Sequence, residues 1–332
     1  MGLEKNRVVD PVLTNIARGY VNAAFIGTRL MPVVRIEKEA GKIPQWGKES
    51  FKIYNTLRAI RANSNRIVPE ARSSISFEMD EHDLEYPVDY REFQEDVFNL
   101  RDHARRVAQD GVLIKQEKMI ADIVTNAANY AETNKEQLTG EDQLNTTTSD
   151  PESVVGDAKE ACRNRIAVEP NTLVLGANVF NVLKRHAKLK DLIKYSMKGI
   201  VTADLMKEIF DADQLLVGKA VYSSDDGVFG PVWDNIILWA YVARNENPNQ
   251  YEPSFGYTLA KRNAALVDSY TENGGKIEVM RYTDIFDAKI VGSEAGYLVY
   301  NCIGEESEED DDEGGEGGEG GEGGEGGEGG EN

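Results

Sequence analysis

The sequence is poor in cysteine and histidine and has no long hydrophobic run. Its two cysteines, Cys162 and Cys302, are 140 residues apart, which favours buried free thiols over a metal cluster. The longest uninterrupted apolar stretch, Ile236–Ala243, has eight residues, whereas a membrane-spanning helix needs ~20. We therefore expect no membrane association and no secretion signal, and free thiols suit a reducing cytoplasm.

The sequence also lacks the motifs of the common enzyme classes. The three histidines, His82, His103 and His186, form no HExxH or HxH pattern that would place two imidazoles on one metal. Leu216–Ala220 contains a Gly-Lys pair but not the upstream glycine and following Ser or Thr of a phosphate-binding loop, and no GxSxG elbow is present. We predict no enzymatic activity, no metal and no cofactor, with an α/β enzyme in residues 150–250 as an alternative.

Charge is distributed unevenly along the chain. The acidic tail, residues 304–332, holds 14 of the 58 acidic residues, 13 glycines and no Lys or Arg. The other 303 residues carry 44 acids against 37 bases, a net charge of −7 that is ordinary for a soluble protein. Because the tail repeats Gly-Gly-Glu and has no apolar surface to bury, its composition predicts disorder.

The first third of the chain predicts an arm, a hairpin and a long helix. Residues 1–35 have little sustained periodicity, whereas several segments from Arg35 to Tyr90 alternate apolar and polar residues, as strands do. Between these strands, Arg58–Arg66 combines turn formers with three arginines and predicts a long exposed hairpin. From Asp96 to Tyr130 apolar residues recur mostly at three- and four-residue steps, which predicts one amphipathic helix of roughly 50 Å.

The basic residues of this helix are expected to form a solvated face, with weak binding of nucleic-acid phosphates as the alternative. They are Arg101, Arg105, Arg106, Lys115 and Lys118. The polar segment Thr133–Ser149 predicts a loop.

The remaining residues predict a mixed α/β domain. Predicted helices cover residues 150–165, 177–184, 189–195 and 202–210, and predicted strands cover 172–176, 214–222 and 235–244. A turn-rich link through Pro248 and Pro253 follows, and Asn273–Gly275 predicts a tight turn. Three final strands, at 276–282, 285–292 and 297–303, are expected to close a sheet against the long helix.

Four strings in the second half of the chain resemble the major capsid proteins of tailed bacteriophages. They are Thr172–Ala177 followed by Val179–Phe180, Asp213–Tyr222, Phe255–Leu259, and Asp287–Val291 followed by Gly296–Val299. The resemblance implies an α+β, HK97-type capsid fold. Its parts would be an N-terminal arm (1–35), an extended β-hairpin or E-loop (36–90), the spine helix of a peripheral domain (91–149), a mixed α/β axial domain (150–250), peripheral return strands (251–303) and the acidic tail (304–332).

The resemblance also implies the function and the partners. Pentamers and hexamers of the chain would self-assemble into the icosahedral head shell that encloses double-stranded DNA without sequence-specific binding. Portal protein, and scaffold and decoration proteins, would be further partners. The protein would be made in the host bacterial cytoplasm and reside in the virion. An encapsulin-like nanocompartment, which holds protein cargo, is the alternative.

Intersubunit contacts are expected on the hairpin. The candidates for intersubunit salt bridges are the hairpin arginines, with the acids of a neighbour as partners. The arginines are Arg58, Arg61, Arg66 and Arg72, and the acids are Asp80, Glu81, Asp83 and Glu85. The alternative is that the arginines only keep the hairpin soluble. Some family members crosslink neighbours through a Lys–Asn isopeptide bond. Lys48 and Lys52 lie in the hairpin, but no acceptor Asn or catalytic Glu can be matched, so no crosslink is expected. The acidic tail is expected to face away from the genome, because DNA repels it.

Overall fold

The computed structural model describes residues 8–9, 25–44, 53–61, 63–66, 74–95, 99–193, 201–223, 229–244 and 252–304. The helices are α1 (Gly27–Leu30), α2 (Tyr90–Glu95), α3 (Leu100–Thr125), α4 (Pro151–Ile166), α5 (Ala177–Arg185), α6 (Ala187–Ile193) and α7 (Ala203–Ile209). The strands are β1 (Val8–Val9), β2 (Val33–Ile36), β3 (Ala40–Pro44), β4 (Ser74–Glu78), β5 (Asp80–Asp89), β6 (Lys135–Gln137), β7 (Thr172–Gly176), β8 (Gln214–Gly218), β9 (Val221–Ser223), β10 (Phe229–Pro231), β11 (Ile236–Ala240), β12 (Gly256–Lys261), β13 (Leu266–Glu272), β14 (Ile277–Ile290) and β15 (Gly296–Tyr300).

Two larger sheets organise these strands. One has the order β1-β13-β14-β12-β2, with β5 also paired to β14, and the other has the order β6-β15-β11-β7-β8. Two small antiparallel ribbons, β3–β4 and β9–β10, stand beside them. The long helix α3 packs on β14 and β5, as the sequence predicts.

The long helix is shorter than the sequence predicts. It runs from Leu100 to Thr125, about 39 Å at 1.5 Å per residue, instead of from Asp96 to Tyr130. Two asparagines set its ends. The side chain of Asn99 accepts a hydrogen bond from the Asp102 amide at 3.3 Å, and Asn126 adopts extended backbone angles and caps the next 3-10 turn instead.

The strands between residues 251 and 303 differ most from the prediction. The expected strands at 276–282 and 285–292 are a single strand, β14, because β5 pairs with it continuously from Ile277 to Phe286. Strands β12 and β13 lie in the segment that was expected to link strands, and β15 joins the second sheet, so residues 251–303 contribute to both sheets. The tight turn at Asn273–Gly275 is confirmed by three consecutive positive φ angles.

Smaller differences concern two segments of the second sheet. The predicted loop 133–149 contains β6, which pairs in parallel with β15. The predicted strand 214–222 is divided into β8 and β9. By contrast, the helix predicted at 150–165 matches α4, whose first turn is capped by Asp150 and contains Pro151.

Each face of the second sheet covers its own apolar core. One core, which includes Trp233 and Phe255, joins this sheet to the second half of α3 and to α1. The other core contains Trp239 and both cysteines. The thiols of Cys162 and Cys302 are free and buried, as predicted, and burial raises the pKa of both to about 12. None of the helices in the described ranges is long and apolar enough to cross a bilayer.

Two glycines give a test of this packing. A Cβ on Gly218, at the end of β8, would lie 2.3 Å from Cβ of the buried Trp233. We expect Gly218→Ala to lower the free energy of unfolding by about 1–3 kcal/mol through overpacking. Gly156 is exposed within α4, and a Cβ at this position would have no atom within 4 Å. Gly156→Ala should therefore raise the free energy of unfolding by about 0.5–1 kcal/mol. Urea denaturation of the two variants checks both, and equal midpoints would contradict this packing.

Candidate assembly surfaces and a buried anchor

The hairpin has an ordered stem and an exposed tip. Strands β3 and β4 form the stem, from Ala40 opposite Glu78 to Pro44 opposite Ser74. The tip, defined here as the described residues between 53 and 66, has no regular secondary structure. Its shape depends on local bonds from the side-chain amide of Asn65 to the backbone oxygens of Asn55 and Leu57, at 2.7 and 3.0 Å.

Large apolar side chains on the tip are open to solvent. Ile53, Leu57 and Ile60 are 96%, 85% and 93% exposed. Burying such a side chain fully stabilises a protein by about 1.5–3 kcal/mol. The tip is therefore suited to contact with another protein surface.

The candidate arginines lie on this tip. Arg58, Arg61 and Arg66 are exposed, and two of them line an open concavity of about 610 Å³ with polar residues of the tip. The lining residues are Tyr54, Asn55, Thr56, Arg58, Ser64, Asn65 and Arg66. Arg72, Lys48 and Lys52 lie outside the described residues.

The candidate acids lie beyond the stem, on β5. Asp80, Glu81, Asp83 and Glu85 are all exposed, and the last three share one face of the strand because its side chains alternate. The opposite face packs inward through residues such as Val88. Within its own chain, Glu85 lies 3.5 Å from Arg281, whose guanidinium also makes two bonds to the buried Asp268 at 2.8 and 3.1 Å.

The long helix does not present all its basic residues to solvent, contrary to the expected solvated face. Arg105 is only 2% exposed and bonds to the Asp102 carboxylate and to the Gln109 side chain. Burial opposes ionisation of Asp102, but hydrogen bonds and positive charge from Arg106 and Arg105 outweigh it and hold its pKa below the ordinary value. The sequence could not distinguish these positions, because an i,i+3 ion pair has the same spacing whether it faces water or a sheet.

A buried carboxylate anchors the segment before β2. Glu117 of α3 is 2% exposed and accepts three hydrogen bonds. One oxygen accepts from the Ile26 amide at 2.8 Å and from the Trp233 indole at 2.7 Å, and the other accepts from the Gly27 amide at 2.8 Å. Burial raises the pKa of Glu117, although the three bonds oppose the shift.

The anchor requires glycine at position 27. A Cβ there would lie 2.6 Å from the Glu117 carboxylate, so a larger residue would displace the bond. The flanking Ile26, Leu30 and Met31 are buried in the core beside α3. The sequence did not reveal this site, yet one signal was present, since Glu117 is one turn before the apolar Ile120 and Ala121 and therefore shares their buried face.

Side chains capable of catalysis or metal binding are poorly grouped in the described part of the chain. The described residues contain no group of three or more His, Cys, Asp or Glu side chains placed to hold a metal. Ser149 and His186 approach to 3.3 Å, but the serine hydroxyl donates to the Thr146 oxygen, and Nδ1 of His186 is buried without a partner. A nucleophilic triad would need a carboxylate at that nitrogen.

Comparisons with known proteins agree with one another. A family model described as phage major capsid protein E matches residues 105–250. The major capsid protein of Burkholderia phage BcepMu is 50% identical over 300 residues, which cover 90% of this chain and 97% of the relative. The crystal structure of a phage-related protein from Bordetella bronchiseptica is 34% identical, with a TM-score of 0.75 over 89% of this chain and 98% of that one. The capsid structure of Cyanophage P-SCSP1u is 9% identical, with a TM-score of 0.54 over 85% and 90% of the two chains.

Substitution of the anchor tests its contribution to stability. We expect Glu117→Gln to lower the free energy of unfolding by about 1–2 kcal/mol, because an amide has one acceptor oxygen for three donors, while the loss of a buried charge offsets part of the cost. Amide exchange at Ile26 and Gly27 should also accelerate. Glu160→Gln, at an exposed residue of α4, is the matched control, and equal effects of both substitutions would contradict the role of the anchor.

The ion pair between Asp102 and the buried Arg105 on α3 predicts that stability depends on pH. Asp102→Asn should lower the free energy of unfolding by about 2 kcal/mol at pH 7, because Arg105 loses its charged partner. Since the folded pKa of Asp102 lies below its ordinary value of 3.8, this stabilisation is present above that pH and disappears as the pH falls through the folded pKa. Chemical denaturation between pH 2 and 7 measures it. The control is Asp122→Asn, which removes an exposed partner of Lys118 and should cost only about 0.3–0.5 kcal/mol. If Asp102→Asn changed the free energy of unfolding equally at every pH, ionised Asp102 would not be the source of the stabilisation.

Proposed function

Because the chain belongs to the family of phage major capsid proteins, we propose that its copies assemble into the icosahedral head shell around the double-stranded DNA genome of a tailed phage. The predicted resemblance to these proteins and the HK97-type α+β fold are confirmed. As a capsid protein, the chain is a structural part of the virion.

The exposed tip of the hairpin is the observation that carries the proposed assembly. Ile53, Leu57 and Ile60 lie in the loop between the two strands of the stem, and all three side chains are exposed. A shell surrounds every subunit with identical copies, so each tip meets the same surface of a neighbour. Many modest contacts of this kind, summed over a closed shell, stabilise the assembly.

The salt bridges expected on the hairpin are part of the proposal. Arg58, Arg61, Arg66 and Arg72 of one copy would contact Asp80, Glu81, Asp83 and Glu85 of a neighbour. The exposure of the described members of both sets, and the common face of Glu81, Asp83 and Glu85 on β5, support this pairing. The alternative, in which the arginines only keep the tip soluble, predicts that alanine at all four leaves shell stability unchanged.

The division of the subunit follows the same proposal. The arm (1–35) and hairpin (36–90) would contact neighbouring copies, and the axial domain (150–250) would meet the symmetry axes in pentamers and hexamers. The spine-helix region (91–149), which contains α3, and the return strands (251–303) would form the peripheral domain. The presence of two larger sheets supports a division into two domains. The match to the proposed ranges is incomplete, because β15 lies within 251–303 but pairs with β11 of the axial range.

Other features of the proposed role concern content and partners. The shell would hold DNA by enclosure, without sequence-specific contacts and without catalytic activity or cofactors. A portal protein, and scaffold and decoration proteins, would act with it, and synthesis would occur in the host bacterial cytoplasm. The acidic tail would face away from the genome. The 50% identity to a phage capsid protein favours a genome over protein cargo, which is the encapsulin-like alternative.

Assembly of the full chain and of a tip variant tests the proposal. We expect closed shells in negative-stain electron microscopy, with a 260 nm excess over 280 nm when particles come from infected cells. Ile53→Ser, Leu57→Ser and Ile60→Ser together should reduce shell yield at least about tenfold, because each substitution removes apolar burial at every neighbour contact.

The control keeps the loop and changes its polar residues. Thr56→Ser with Ser64→Ala should assemble like the unaltered chain, and thermal melting should show that every variant subunit remains folded. Normal shells from the triple serine variant would exclude the tip contact. Shells filled with protein instead of nucleic acid would favour the nanocompartment.

A further inference from the structure

The acidic tail begins at a fixed point on the folded subunit. The Gly304 amide donates to the side-chain oxygen of Asn145 at 3.1 Å, and the Asn145 amide donates to the Gly304 oxygen at 3.3 Å. The preceding residue is held in the same way, because Asn235 accepts from the Ile303 amide at 2.7 Å and donates to its oxygen at 2.9 Å. The tail therefore starts beside the loop that contains Asn145.

A basic surface contacts the same loop. We define it by the exposed side chains of Lys184, Arg185, Lys188 and Lys190 on α5 and α6. Residues 177–193 contain only one acid, Asp191. The buried side chains of Val179, Leu183 and Leu189 hold these helices on the core. The basic side chains therefore point outward. Lys188 forms an ion pair with Asp150 at 3.3 Å, and no ion pair to a described residue involves the other three.

Direct contacts connect the basic surface to the loop. Lys188 donates to the Thr148 oxygen at 3.2 Å, and His186 lies 3.3 Å from the Ser149 hydroxyl. Thr148 is three residues after Asn145, so roughly 10 Å of chain at most separates the residue that holds the start of the tail from the residue that Lys188 contacts. Residues 305–313 include eight acids and span up to roughly 30 Å when extended, which is more than the required reach.

The charges around Gly304 favour a path of the tail toward the basic surface. Glu141, Asp142 and Asp150 border the loop and repel an acidic segment, whereas the four cations of the basic surface attract it. Each exposed ion pair is weak and is screened by salt. The covalent connection, however, gives the tail a high effective concentration at the surface, so several weak pairs act together.

We propose that the acidic tail binds the basic surface of α5 and α6 in its own chain. The tail thereby competes with other polyanions in solution for these four cations. The contact is electrostatic and reversible, and it requires no fixed structure in the Gly-Gly-Glu repeats.

Zero-length carbodiimide crosslinking tests the proposal on the purified full chain. An equal mixture of ¹⁴N- and ¹⁵N-labelled chains distinguishes crosslinks within one chain from those between copies. At low salt we expect tail carboxylates to couple to Lys184, Lys188 and Lys190 of the same chain. The yield should fall several-fold at 1 M salt, where the Debye length is about 3 Å.

A charge-neutralised variant provides the second arm. Lys184→Gln, Arg185→Gln and Lys190→Gln remove three cations but keep Lys188 and its bonds to the loop. A glutamate-specific protease should remove the tail several-fold faster from this variant than from the unaltered chain at low salt. Arg35→Gln, Lys38→Gln and Lys42→Gln are a matched control with the same charge change on exposed residues of β2, β3 and their connection.

Three outcomes would overturn the proposal. They are tail crosslinks that map to other lysines, crosslinks that join different copies, and equal rates of tail removal from the neutralised, control and unaltered chains. Circular-dichroism melting verifies that the neutralised variant is folded, so faster tail removal reports the lost contact instead of unfolding.

Discussion

The carboxylate of Glu117 makes the interaction on which the rest of the subunit depends. Burying a carboxylate is costly unless hydrogen bonds replace water, and here three N–H groups do so. The donors belong to the segment before β2 and to Trp233, and the accepting carboxylate belongs to α3, so one side chain joins three distant parts of the chain. Trp233 in turn fills the space that Gly218 leaves open, and this places the edge of the second sheet against the same core.

This anchored body contrasts with the exposed tip of the hairpin. The two larger sheets share α3 and its buried face, whereas the tip between residues 53 and 66 keeps its shape through a few local hydrogen bonds. Aliphatic side chains on such a tip gain little from their own chain and much from a neighbour. A well-packed body with an exposed, partly apolar hairpin tip suits the proposed assembly, because the tip would gain apolar contacts from a neighbouring copy.

The sequence predicts those elements whose signals are local. Helix α4 has its cap at Asp150 and a proline in its first turn, and β7 is a short buried apolar run between turn residues. Strands β12 and β13 were missed because they follow a turn-rich link and owe their pairing to β14. The surroundings of Glu117 could not be predicted, since its partners lie about 90 to 116 residues away. A contact between copies leaves little trace in a single sequence. The pattern of residues therefore predicted an exposed hairpin but not the surface of a neighbour that the hairpin would contact.

Amide hydrogen exchange, measured on intact shells and on dissociated subunits, is the most direct test of a preformed body with an assembly-dependent hairpin. Residues 53–66 should exchange slowly in shells and rapidly in free subunits. The amides of Ile26 and Gly27, which donate to Glu117, should exchange slowly in both states. Equal exchange of residues 53–66 in the two states would contradict a hairpin contact between copies, and rapid exchange at Ile26 and Gly27 in free subunits would contradict the preformed anchor.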